Sequence, residues 1–147
     1  MRLYLDACCF NRLFDDPGID RNHLEAEAVV AILSHIQRGD WLLVGSSVLD
    51  EELRAGRDDM RRQAVLGMAA AGVESIDVSQ AEYDRSMVLV QLGFRRMDAL
   101  HIACAESAVC DVLLTTDDQF LRKAGKHARR LRLEVRNPVD WLLEQKP

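Results

Sequence analysis

Short apolar runs alternate with longer segments of helical periodicity along almost the whole chain. In the longer segments apolar residues recur every three or four positions, which predicts helices at 20–38, 47–54, 58–71, 81–92, 96–108, 117–125 and 138–143. The apolar runs between them predict strands at 3–6, 41–44, 73–78, 112–115 and, at one edge, 131–135. This alternation is typical of βαβ units. We therefore expect a single α/β domain over residues 1–147, with a central parallel sheet of about five strands flanked by helices on both faces.

The composition is that of a folded domain, with 147 residues of which 48% are hydrophobic and 29% are charged. No apolar run approaches the roughly 18 residues that a membrane span needs. The first apolar residues predict a strand and not the apolar segment of a signal sequence, so we expect a cytoplasmic protein. The four cysteines include no C-x-x-C pair, which argues against a structural zinc site and favours reduced, buried thiols.

The charge is unevenly distributed along the chain. The net charge of −5 argues against general affinity for nucleic acid, yet residues 122–136 contain seven Lys or Arg residues and a single Glu. Arginine binds phosphate in a bidentate manner, although a charged run is more often only a solvated face.

Four acidic residues lie at positions where surface residues are not expected, at a strand end or on the apolar face of a helix. Asp6 ends the first predicted strand, where ligand sites of parallel sheets lie. On a helical wheel, Glu52, Asp98 and Asp117 each turn toward the apolar face of their own helix, whereas Asp118 points away. Acids in the first turn of a helix also interact favourably with the helix dipole, which is an alternative reason for these positions. Thr116 with Gln119 could form a capping box at the start of the last of these helices.

A divalent cation would relieve the cost of bringing these carboxylates together in a buried place. Oxygen ligands of this kind suit Mg²⁺ or Mn²⁺, and the absence of thiolate or imidazole among the four candidates disfavours zinc. A magnesium site at the end of a parallel sheet is typical of enzymes that hydrolyse phosphodiesters, with a metal-activated water as the nucleophile.

Four segments in order resemble the PIN domain, the nuclease fold of VapC-type toxins: LYLDACCFNRLF, SSVLDEEL, RRMDALHIACA and LLTTDDQFLRKA. The resemblance covers nearly the whole chain. It implies a Mg²⁺-dependent endoribonuclease that forms dimers and has a cognate antitoxin. It assigns both catalysis and metal binding to Asp6, Glu52, Asp98 and Asp117.

Further residues are expected around this centre. Relatives often carry Thr or Ser after the first acid, whereas this chain has Ala7 and Cys8. Other polar groups are therefore candidates for an outer shell, namely Asp118, Thr115, Ser46 and Asn11. The cations expected to contact the RNA backbone are Arg12, Arg54, Arg122 and Lys123.

Two other functions fit parts of the sequence. One is a PIN-like module that no longer cleaves and binds RNA or a protein partner. The other is a Mg²⁺-dependent phosphatase, against which the stretch Asp6-Ala7-Cys8 argues because it lacks the D-x-D pattern of aspartyl-phosphate enzymes. The four histidines have no triad-like context, so we expect core or surface roles for His23, His35, His101 and His127.

Overall fold

The computed structural model describes residues 1–56 and 58–145; residues 57, 146 and 147 of the predicted 1–147 domain lie outside the described part. Five strands are formed: β1 (Arg2–Leu5), β2 (Leu42–Ser46), β3 (Glu74–Ile76), β4 (Val112–Leu114) and β5 (Glu134–Arg136). The first four helices are α1 (Ala7–Asn11), α2 (Asp20–Gln37), α3 (Ser47–Arg54) and α4 (Asp59–Ala69). The other four are α5 (Gln80–Gln91), α6 (Arg96–Ser107), α7 (Asp118–Lys126) and α8 (Pro138–Glu144).

The strands form one parallel sheet in the order β3-β2-β1-β4-β5. In the central strand, Tyr4 lies opposite Val44 of β2 and Leu113 of β4. The strand order reverses next to β1, because β2 and β3 lie on one side of it and β4 and β5 on the other. Ligand sites of open α/β sheets lie outside the carboxyl ends of the strands at such a reversal. Asp6 follows β1 there.

Helices cover both faces of the sheet. Successive residues of a strand point to opposite faces, and Leu3, Tyr4 and Leu5 of β1 are all fully buried. A strand buried on both faces requires the nearly continuous apolar run that β1 and β4 have. The predicted α/β fold with a parallel sheet of about five strands is thus confirmed. No described helix is both long enough and apolar enough to cross a membrane.

Apart from shifts of one or two residues at other element ends, two local predictions differ from the structure. The helix α1 was not predicted, because its five residues are too few to show a period; it begins directly after Asp6, whose side chain accepts a hydrogen bond from the Ala7 amide at 2.8 Å. The last strand was placed at 131–135 but begins at Glu134, since residues 128–130 form a 3₁₀ turn that delays pairing with β4.

Candidate metal centre

Asp6 is held between β1 and β4 by the chain around it. Its side chain is buried, with Oδ1 bonded to the Ala7 amide and Oδ2 accepting a hydrogen bond from the Thr115 hydroxyl at 2.9 Å. The Cys8 thiol lies 3.4 Å from the same Oδ2. Burial raises the pKa of Asp6, and the charge of Glu52 raises it further, whereas His101 and the Thr115 and Cys8 hydrogen bonds lower it. A positive charge beside Asp6 would therefore stabilise its ionised form.

His101 of α6 reaches the same place and lies fully inside the protein. Its Nε2 lies 2.7 Å from the Glu52 Oε2 and 3.5 Å from the Asp6 Oδ1. Its Nδ1 lies 2.6 Å from the Tyr4 hydroxyl, which is itself 2.6 Å from the Ser46 Oγ. Burial lowers the pKa of His101, but the Glu52 hydrogen bond and the surrounding acids outweigh it and raise the pKa above its ordinary value.

Asp6, Glu52 and His101 form a compact group that could hold a metal ion. One ligand atom from each residue lies within 4.8 Å of the others. His101 lies in the core, which agrees with the core or surface role expected for it, but its ring also contacts two acids of the candidate site. The argument against zinc also loses its basis, since an imidazole lies among the donors. A spacing of three residues from Asp98 to His101 places both on one side of α6, and this was the signal that could have revealed the histidine.

Asp98 lies in the first turn of α6 and is half-buried. Burial raises the pKa of Asp98 to about 7, and the charges of Asp6 and Asp117 contribute to this rise. Three acids therefore share one electrostatic environment, even though Asp98 and Asp117 lie outside the compact group formed by Asp6, Glu52 and His101. A carboxylate whose pKa is raised by neighbouring acids, as that of Asp98 is, fits a site for a divalent cation.

Asp117 has a second role at the start of α7. Its Oδ1 accepts hydrogen bonds from the backbone amides of Gln119 at 2.9 Å and Phe120 at 3.2 Å, so it is the N-cap of this helix. The capping box considered for Thr116 and Gln119 is wrong, because the N-cap of α7 is Asp117 and not Thr116. The Oδ2 of Asp117 lies 3.4 Å from an Arg95 guanidinium nitrogen, which leaves one carboxylate oxygen directed away from the helix cap.

The outer-shell candidates divide into two groups. Thr115 donates to Asp6, and Ser46 joins the site through Tyr4. Asn11 instead accepts hydrogen bonds from Arg61. Asp118 forms a bidentate ion pair with Arg21, whose Nη1 and Nη2 lie 2.6 and 2.9 Å from its oxygens. In the described structure, Asn11 and Asp118 therefore serve the surrounding loops and make no hydrogen bond to the four acids.

The expected RNA contacts also differ from one another. Arg12 is an internal cation: its Nε lies 3.0 Å from the buried Glu25, and its Nη1 contacts Asp15 and Asn22. The prediction that it contacts RNA conflicts with this use of its guanidinium group. Arg54 is exposed at the end of α3. Arg122 and Lys123 line a cleft that also contains Asp98.

Comparison with solved structures shows the fold. The chain is similar to VapBC2 from Rickettsia felis, solved bound to a DNA fragment from its promoter, with 16% identity, a TM-score of 0.55, and 93% of this chain and 98% of that chain covered. It is also similar to PAE2754 from Pyrobaculum aerophilum, with 18% identity, a TM-score of 0.51, and coverage of 97% and 87%. No family model and no curated protein matches the sequence.

Proposed function

We propose that this chain is a PIN-like endoribonuclease of the VapC type, which depends on a divalent cation and acts on RNA in the cytoplasm. The observation that carries the proposal is the position of its acids: Asp6 follows β1 at the reversal of strand order, with Glu52 and His101 beside it. The similarity of the fold to the Rickettsia felis VapBC2 structure supports this assignment.

The four acids Asp6, Glu52, Asp98 and Asp117 are the proposed ligands of Mg²⁺, for which Mn²⁺ can substitute. Bound there, the cation would supply a water of lowered pKa as the nucleophile and neutralise charge on the phosphodiester. The chain's own groups hold these ligands in place. Thr115 and the Ala7 amide fix the Asp6 carboxylate, while His101 fixes Glu52.

The proposal extends to partners. A VapC-type toxin would bind a cognate antitoxin and act as a homodimer, and the VapBC2 structure supports the first of these. Co-expression of this chain with the product of the neighbouring gene, followed by co-purification, tests the antitoxin. Light scattering of the purified protein tests the dimer.

Cleavage of a labelled RNA by the purified protein is the direct test. We expect cleavage with Mg²⁺ or Mn²⁺ and none in EDTA. Glu52 and Glu51 provide a matched pair, because Glu52 contacts His101 whereas Glu51 is exposed on the same helix. Glu52→Gln should remove most of the activity, and Glu51→Gln should have a milder effect. Full activity in EDTA, or equal losses in the two variants, would overturn the assignment.

One observation favours a second candidate, a PIN-like module that binds RNA or protein without cleaving. A protonated His101 would neutralise Glu52 and part of the charge of Asp6 without any metal. In that case Mg²⁺ would leave the melting temperature unchanged, and no RNA would be cleaved. Thermal melts with Mg²⁺ and with EDTA, run beside the cleavage assay, decide between the two candidates.

A further inference from the structure

A basic cleft of about 400 Å³ lies beside Asp98, one of the four acids proposed as metal ligands. One wall is the turn from Gly93 to Arg95 before α6, and the other is one face of α7. Asp98 lines the cleft and is the single carboxylate among its lining residues. A ligand that reaches the metal centre from this side therefore passes along the cleft.

The wall formed by α7 carries regularly spaced polar groups. The lining residues of this helix include Gln119, Arg122, Lys123 and Lys126, which are three, four and seven positions apart and so share one helical face. Within residues 1–56 and 58–145, the side chains of Arg122, Lys123 and Lys126 make no ion pair and no hydrogen bond. Their positive charges are thus available to a ligand.

The position of Lys123 depends on Gly93. A Cβ atom at Gly93 would lie 3.0 Å from the Lys123 Nζ and 3.4 Å from its Cε, and the φ angle of +108° at Gly93 also favours glycine. The lysine therefore lies across the glycine backbone and is half-buried. Glycine at position 93 thus leaves space for the Lys123 side chain in the cleft.

The floor of the cleft shows which part of a nucleic acid it suits. Phe94 and Phe120 are 4% and 1% exposed, and their rings pack edge to face with centroids 6.2 Å apart. Neither ring offers a free face on which a base could stack. The cleft therefore offers positive charges that suit phosphate groups but no aromatic face for base stacking.

We propose that this cleft binds the backbone phosphate next to the cleaved bond of a single RNA strand. The inference rests on the proposed nuclease function, in which the cleaved phosphate lies at the acids. The strand leaves the metal centre past Asp98, and Lys123 and Lys126 contact the following phosphates. Arg122, on the same face of α7, extends this path.

Binding without cleavage tests the inference. Fluorescence anisotropy measures the affinity of the full chain for a labelled single-stranded RNA of about ten nucleotides, in EDTA and over a range of salt concentrations. The test variant is Lys123→Gln with Lys126→Gln. The matched control is Arg129→Gln with Arg130→Gln, which removes the same charge from exposed residues of the same basic segment that do not line the cleft.

We expect the slope of log affinity against log salt to fall by about 1.4 in the test variant, because each phosphate contact on a single strand contributes about 0.7. The control should keep the wild-type slope. Equal losses in both variants, or none in either, would overturn the inference, as would an equal loss for an acidic peptide probe. Metal-dependent cleavage is measured separately, so the proposed function can stand while this inference fails.

Discussion

The imidazole of His101 connects Glu52 on α3 to Tyr4 in the centre of the sheet, with contacts of 2.7 Å and 2.6 Å from its two ring nitrogens. Both contacts suit a protonated ring that donates from each nitrogen, because the Tyr4 hydroxyl can in turn donate to Ser46. In its protonated form the histidine would place a positive charge where Glu52 and Asp6 meet.

The first prediction concerns the protonation of this ring. In metal-free protein, NMR titration of the His101 imidazole should give a pKa above its ordinary value, and Glu52→Gln should lower it. Because the folded-state pKa is raised, this group stabilises the fold at acidic pH, and the contribution is lost as the pH rises through that pKa. Glu51→Gln, at an exposed position, serves as the control. A wild-type pKa below the ordinary value would contradict the assignment.

Asp98 should make the metal-free protein less stable as the pH rises. Its pKa is about 7 in the folded state, so the folded protein retains a proton that the unfolded chain has already lost. The free energy of unfolding is not reduced by this group below the ordinary pKa of an aspartate, about 4. It falls as the pH rises from there to about 7.

Asp98→Asn should remove this loss. In EDTA at about pH 8, the gain should be on the order of 1–2 kcal/mol, a value reduced for the solvent that reaches this half-buried group. Thermal melts across the pH range measure it. Added Mg²⁺ should raise the melting temperature of the wild type more than that of the variant. A variant that melts below the wild type at high pH would show that Asp98 is only a favourable first-turn acid.

Two substitutions of Asp117 separate its cap from its proposed metal ligation. Asparagine is as good an N-cap as aspartate, so Asp117→Asn should leave stability in EDTA nearly unchanged, whereas Asp117→Ala should cost about 1 kcal/mol. Both variants should lose most RNA cleavage, because neither retains the carboxylate. Chemical denaturation and the cleavage assay measure the two effects. If Asp117→Asn kept full activity, the residue would be a cap alone.

Arg12 should contribute to stability more than to RNA binding. Its removal leaves the buried Glu25 with Arg21 and Asn137 as remaining partners, at 3.3 Å and 2.6 Å. We expect Arg12→Gln to cost about 2 kcal/mol, less than the roughly 3–5 kcal/mol of a fully uncompensated buried charge. Urea unfolding measures this cost, with the exposed Arg54→Gln as the control. Unchanged stability together with weakened RNA binding would restore the original prediction for Arg12.

Periodicity was informative about the direction in which side chains point. The apolar run of β1 placed Asp6 at a strand end, and the helical wheel separated half-buried Asp117 from exposed Asp118. Both inferences use only residues close in sequence, although Asp117 is the N-cap of α7 and its own backbone is extended, not helical.

Partners from distant elements could not be predicted in this way. His101 is 97 residues from Tyr4 and 49 residues from Glu52, so its role depends on how α6, β1 and α3 pack. The ion pair between Arg12 and Glu25 was missed for the same reason. In a sequence, an arginine paired inside the fold looks like one that is free to bind phosphate.

The central position of β1 has a consequence for synthesis of the protein on the ribosome. Asp6 is made long before the residue that fixes its carboxylate, because the Thr115 hydroxyl comes from a residue 109 positions later, after β4. A nascent chain that lacks β4 can form β1 and β2 side by side, yet it has no Thr115 or Asp117 to complete the group of acids. If the chain is a ribonuclease, the messenger and ribosome that produce it are therefore protected from its activity until most of the described fold has been translated.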